Sequence, residues 1–136
     1  MAEYLVPKSA VVFEEEIKKS RFITYLQHTE GLDDARAFWA KIKQEHPNAR
    51  HHCWAAVAGK PTDSLQLGFS DDGEPAGTAG KPMLSALQGS QLGEISAVVV
   101  RYYGGVNLGT GGLIVAYRTA AALAIDNAPR VSRLVE

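Results

Sequence analysis

The stretch that most constrains this chain runs from Val98 to Tyr117, Val-Val-Val-Arg-Tyr-Tyr-Gly-Gly-Val-Asn-Leu-Gly-Thr-Gly-Gly-Leu-Ile-Val-Ala-Tyr. It opens as a β-branched run that reads as a strand and closes as an apolar helix. Between them lies a turn with five glycines, Gly104, Gly105, Gly109, Gly111 and Gly112. A backbone that dense in glycine can take positive φ and come close to another surface. A glycine-rich turn feeding a helix N-terminus also leaves N–H groups without partners, which suits an anion such as phosphate. Neither the dinucleotide pattern G-x-G-x-x-G nor the phosphate loop G-x-x-x-x-G-K-[ST] can be aligned to it. The stretch is therefore a binding candidate without a standard label.

Bulk properties narrow the partners. The chain has 136 residues, 46% of them hydrophobic, which suffices for one domain with a proper core. A formal net charge of −1 excludes wrapping nucleic acid through bulk charge, so any such contact needs a local patch. The single cysteine, Cys53, excludes an internal disulfide. No basic-then-apolar leader and no run of about 18 apolar residues is present, so the expectation is a cytoplasmic domain without membrane contact.

The remaining elements follow from periodicity. Val11–Ile17 and Ser20–His28 read as strands joined at Lys18-Lys19, and the acidic run Glu14-Glu15-Glu16 reads as a solvated edge. Leu32, Ala35, Phe38, Trp39 and Ile42 recur at helical spacing, with Asp33 and Asp34 in the first turn and Pro47 beyond the end. Residues 50–58 and 64–69 predict strands, 80–90 a helix, 95–103 a strand and 111–126 a nearly all-apolar helix.

Two polar clusters and a few cations carry the candidate chemistry. In Arg50-His51-His52-Cys53, strand alternation puts His51 and Cys53 on one face and Arg50 and His52 on the other. That pairing supplies two metal ligands where zinc needs three or four, and it suits a nucleophile pair poorly. The plain reading packs Cys53 inward. In Ser70 to Met83, the carboxylates Asp71, Asp72 and Glu74 lack the alternating oxygens and terminal glutamate of a calcium loop, and turn chemistry accounts for them. Gly77 and Gly80 then lead into a helix with Lys81 at its start, an unfavourable place for a cation unless an anion is near. Arg101 beside Tyr103 is the combination that holds a phosphate and stacks a base. Between Gly80 and Ile125 lie three basic residues, Lys81, Arg101 and Arg118, and one acid, Glu94.

Ser20-Arg21-Phe22, Ala49 to Cys53, Phe69 to Met83, Val98 to Gly105 and Leu108 to Leu113 resemble the N-terminal domain of the IMPACT family, and its bacterial YigZ-type members most of all. The resemblance covers about Glu14 to Ile125 and rests on long motifs in order. It implies an α+β fold, a two-layer α/β sandwich of the kind seen in a small-subunit ribosomal protein and in domain four of elongation factor G. A mixed sheet with helices packed on it and a left-handed crossover are part of that expectation. YigZ-type members normally carry a second, ferredoxin-like domain, which does not appear between residues 1 and 136; this chain reads as one domain with a core of about 14–125. Eukaryotic relatives bind the coactivator of a kinase that phosphorylates a translation initiation factor. The resemblance thus implies a regulatory binding protein of translation or the stress response, with RNA, a ribosomal site or a translation-regulator protein as partner.

The expected binding set is Lys81, Arg101, Tyr103, Gly104, Gly105, Gly109, Gly111, Gly112 and Arg118, with His51, His52, Asp71, Asp72 and Glu74 as a second polar set. No catalytic residue, metal or cofactor is assigned. The alternative is a kinase-like small-molecule enzyme in which the glycine turns cradle nucleotide phosphate and Asp71, Asp72 or Glu74 stands near magnesium. Against it stand the missing phosphate-loop motif and the lack of a convincing base.

Overall fold

The computed structural model describes residues 2–135. Its elements are β1 (Ala2–Pro7), β2 (Val11–Ile17), β3 (Ser20–His28), α1 (Leu32–Glu45), β4 (His51–Val57), β5 (Leu67–Ser70), α2 (Gly80–Gly89), β6 (Ile95–Tyr102), α3 (Gly109–Asp126) and β7 (Arg130–Val135). A five-stranded sheet in the order β2-β3-β6-β4-β5 forms the body, and β1 pairs with β7 as a separate ribbon. The α+β class and the helix-on-sheet sandwich hold. The sheet itself is not mixed: each of its four neighbouring pairs is antiparallel. The mixed sheet that the resemblance implies fails because each helical crossover within the sheet joins parallel strands but skips the one between them. β3 reaches β4 through α1 with β6 lying between, and β5 reaches β6 through α2 with β4 lying between.

Strand alternation sorts the core into two faces. Phe22, Leu26, Cys53, Ala55, Val57, Ile95, Ala97 and Val99 meet α2 and α3, while Ile23, Trp54, Ala56, Val98 and Val100 meet α1. The two crossovers run in opposite directions along the strands and across the sheet, with their helices on opposite faces. They are therefore of opposite hand, so one is left-handed, against the usual right-handed preference. Val98, Val99 and Val100 are fully buried, which makes β6 the centre of both layers. Burying a valine side chain contributes about 1.5–3 kcal/mol. On α3 the inward face sets four small residues, Ala116, Ala120, Ala121 and Ala124, among the larger Leu113, Tyr117 and Ile125, all buried, and the alanines let α2 lie close against it. A larger residue there would overpack the contact by about 1–3 kcal/mol.

Local chemistry sets the boundaries. Lys18 and Lys19 both take positive φ, 46° and 67°, giving the two-residue turn that matches strand twist between Ile17 and Ser20. A Cβ at Gly104 would overlap the Lys19 carbonyl, so the turn after β6 sits directly on this hairpin. Strand β5 starts later than its apolar run suggests. The Asp63 carboxylate accepts from the Leu65 N–H at 3.0 Å and holds Ser64–Gln66 in a single 3-10 turn. In α1, Phe38 and Ile42 are buried, and Trp39 donates its indole N–H to the His52 carbonyl at 2.7 Å. Among the described residues no helix is long and apolar enough to cross a membrane.

Candidate functional site

Two glycine-rich turns each deliver a helix N-terminus, and the structure treats them differently. At α2 the orphan amides are answered from inside the chain. Asp71 Oδ1 accepts from the Ala79 N–H at 3.1 Å and the Gly80 N–H at 2.8 Å, and Oδ2 accepts from the Gly77 N–H at 2.8 Å. A carboxylate in that position answers the positive end of the helix dipole as a bound anion would. A Cβ at Gly80 would meet the Ser70 backbone at 2.8 Å, so no space is left there for a ligand. Asp72 is also engaged, accepting from the His52 N–H at 2.8 Å.

At α3 the first turn carries no acidic residue, and its N-cap, Leu108, offers no side-chain acceptor. A Cβ at Gly109 or Gly111 would meet nothing within 4 Å. This end of the helix opens on a cleft of about 580 Å³ whose lining includes Arg50, His51, Glu74, Arg101, Tyr103 and Thr110. Both the turn after β6 and the loop after β5 border it, and the start of β4 brings Arg50 and His51 to the same wall.

A buried polar cluster forms the base of the cleft. Arg101 Nη1 donates to both oxygens of Glu74, at 3.0 and 2.8 Å, and Nε donates to Ser20 Oγ at 3.2 Å. Arg101 is 5% exposed and Glu74 7%. Tyr117 donates its hydroxyl to Glu74 Oε2 from the inward face of α3. Burial, then the nearby Cys53 thiol and the Glu74 charge, hold the Tyr117 phenol far above its ordinary range, so it keeps the proton it donates. His51 Nδ1 bonds the Asp72 carbonyl at 2.8 Å, which fixes that nitrogen as the protonated one and turns Nε2 towards Glu74 Oε1 at 3.4 Å. Burial likewise raises the Cys53 thiol; it donates to the Asp71 carbonyl at 3.1 Å and is not a nucleophile in waiting.

The charge at the mouth belongs to Arg50. It is exposed, stands 4.9 Å over the Tyr103 ring, and makes no ion pair among the described residues. Arg101 also lies against that ring, at 5.4 Å. Tyr103 donates to Asn107 Oδ1 at 3.0 Å, which ties it to the turn.

Of the residues singled out from sequence, His51, Glu74, Arg101, Tyr103 and Gly109 line this cleft. Gly104 and Gly105 shape the turn behind it. Gly111 and Gly112 line a different groove, between β2 and α3. Lys81 and Arg118 are exposed on α2 and α3 and border neither space. His52 is buried on the α1 side, where its Nε2 bonds the His46 carbonyl at 2.6 Å. Arg50 and Tyr117 escaped attention as site residues. For Tyr117 a signal existed: a phenol in the small apolar stripe of α3 must find a buried partner.

A second polar cluster was not foreseen. His28, Glu30 and Glu94 present ligand atoms within 4.8 Å of one another. Glu94 is already answered by the Tyr4 hydroxyl at 2.6 Å, His28 Nε2 at 2.6 Å and Arg133 at 2.8 Å. Burial alone would raise its carboxyl, but these three partners outweigh that and hold it below the ordinary range. The cluster pins the β1–β7 ribbon to the start of β6.

A family model described as the Impact N-terminal domain matches residues 18–125. The chain belongs to this family. An IMPACT family member of Haemophilus influenzae is 96% identical over 117 residues, covering 86% of this chain and 57% of that protein. YigZ of Escherichia coli, also an IMPACT family member, is 67% identical over 117 residues with the same coverage. The chain thus spans a little under three fifths of the length of these curated relatives. A crystal structure of a hypothetical protein superposes with a TM-score of 0.95 at 59% identity, over 98% of this chain and 65% of the other, so the two share one fold. A two-domain translational regulator, Yih1, aligns at a TM-score of 0.48 and 22% identity, too distant a likeness to carry an argument.

Proposed function

We propose that this Impact domain is a non-catalytic regulatory binder of the translation apparatus that takes a phosphate of a single-stranded RNA segment in the cleft at the start of α3. One observation carries the reading: the α3 amides open uncapped onto a cleft bearing Arg50, whereas the α2 amides are filled by Asp71. Backbone N–H groups and a helix dipole hold phosphate, and an exposed guanidinium on Tyr103 gives a flat cationic platform for a base. A kinase-like role finds less support. Asp71 caps α2, Asp72 holds the β4 backbone, and Glu74 is bonded to Arg101 and Tyr117, so none of the three is free to hold magnesium.

Lys81 and Arg118 lie outside the cleft and Glu74 answers Arg101, so the cleft offers one uncompensated cation, Arg50, and not the three that the sequence suggests. The salt dependence should be correspondingly weak, with a log–log slope of roughly −1 in place of the −2 expected for three contacts. Fluorescence titration of a labelled single-stranded RNA, in parallel with magnesium ATP, tests the reading. Saturable RNA binding with that slope, and negligible ATP binding, is expected. Magnesium-dependent ATP binding without RNA affinity would overturn it, and silence from both would point to a protein partner.

A further inference from the structure

Strand β2 ends the five-stranded sheet, so the N–H and C=O groups of its outer edge have no neighbouring strand. Its inward residues Val11, Phe13, Glu15 and Ile17 are only half-buried against α3. The helix overhangs this edge: Val115 is 51% exposed in the most apolar helix of the chain. Between strand and helix runs a groove of about 440 Å³, walled by Ile17, Leu108, Val115 and Ala116 and left open by the absent side chains of Gly111 and Gly112. That is the space the inward side chains of one more strand would occupy.

This mainly apolar groove is bordered by two charged residues, Glu15 and Lys18, which make no ion pair with each other among the described residues. Glu15 lines it, and Glu15 Oε1 is buried with no hydrogen-bond partner among the described residues. Its neighbour Glu14 is paired with Arg21 at 2.6 Å, and no such pair is made by Glu15. A buried acceptor left unmet is costly, and a carboxylate more so. We infer that the β2 edge accepts an extended segment of a partner protein as a sixth strand. The segment directs a lysine or arginine inward onto Glu15, with small or medium apolar residues two positions to either side against Val115 and Ile17. Main-chain pairing supplies affinity and the alternating inward side chains supply selectivity.

Charge selects this occupant over a second copy of the chain. Pairing β2 with itself would set Glu14-Glu15-Glu16 against the same acidic run, and like charges facing across strands are destabilising. An inward charge on an edge strand can also serve only to discourage pairing, and the two roles are separable by experiment.

The test is selection of a random nonapeptide library displayed on phage against the whole chain, followed by affinity measurement on three proteins: wild type, Glu15→Gln and Gly111→Leu. Glu15→Gln is isosteric and removes only the charge; Gly111→Leu fills the groove and keeps it. Enriched peptides should carry Lys or Arg with apolar residues at two positions to either side. Loss of the charge-assisted bond should weaken them at least about tenfold on Glu15→Gln. Gly111→Leu should weaken them too, and β2 amides that do not bond β3 should gain exchange protection in the complex. No enriched family, peptides without a basic residue, or binding indifferent to both variants would overturn the inference and leave Glu15 as an edge guard.

Discussion

The two glycine-rich turns of this domain look alike in sequence and end in opposite states. Both release a chain from the sheet into a helix with glycines at its start. The loop before α2 brings its own carboxylate, Asp71, to three backbone amides, while the loop before α3 brings none. The closed site is an internal replica of what the open one would hold. It shows that this fold tolerates a negative charge at such a position and uses one to fix a loop. It also shows that glycine density alone does not mark a ligand site, because what matters is whether a nearby acid reaches the amides first.

The largest expected effect breaks the comparison at the base of the open cleft. Glu74→Ala would leave Arg101 buried without its partner, and removing one half of a buried pair costs about 3–5 kcal/mol. Urea unfolding should show that loss. If Glu74→Ala kept its stability and bound RNA more tightly, Arg101 would be a ligand-facing cation and not an internal one.

Next in size is the closed turn. Asp71→Ala removes charge-assisted bonds to the amides of Gly77, Ala79 and Gly80 and should cost about 2–3 kcal/mol, read from the shift of the urea midpoint at unchanged slope. Asp71→Asn should recover part of this, since one amide oxygen can still accept. An Asp71→Ala variant of wild-type stability would mean that the capping bonds contribute nothing and that the contrast between the turns is only apparent.

A smaller effect is expected at the mouth. Arg50→Ala should leave folding within about 0.5 kcal/mol, as exposed substitutions do, while flattening the salt dependence of RNA binding by about 0.7 of a log–log unit. Lys81→Ala and Arg118→Ala, outside the cleft, should change neither. An equal loss of slope in all three variants would spread the binding surface over α2 and α3 and remove the special standing of the α3 turn.

The smallest effect separates the cleft from the other end of β6. The Glu94 carboxyl is held below its ordinary value, so its contribution to stability is complete above about pH 4.5 and is lost as pH falls through the folded value. Acid titration should therefore loosen the β1–β7 ribbon, seen as early loss of amide protection at Val6 and Val131, a pair that bonds across it, before the cleft changes. In Glu94→Gln this acid-dependent step should vanish.

Much of the fold was legible because its signals are local. The valine run of β6, the Lys18-Lys19 hairpin and the 3.6-residue period of α1 all depend on neighbours within a few positions. The ribbon of β1 and β7 was not, since two six-residue segments pair across nearly the whole chain and neither has a distinctive period. The antiparallel order was hidden for a related reason: which strand slips between two others is a long-range fact. At the site, the cluster of Glu74, Arg101 and Tyr117 joins residues from three separate motifs, and only the fold shows that Glu74 neutralises the arginine. Asp71 was visible as a turn residue, but its target amides lie six to nine positions onward around a loop, beyond the reach of ordinary capping rules.

The central claim is that the α3 turn is open to an anion and the α2 turn is not. Backbone amide chemical shifts of the ¹⁵N-labelled chain, followed while inorganic phosphate and then single-stranded RNA are added at constant ionic strength, address it most directly. The expected result is movement of Gly109, Thr110 and Gly111 with both ligands, while Gly77, Ala79 and Gly80 stay still. Movement at Ala79 and Gly80, or none at the start of α3, would contradict it.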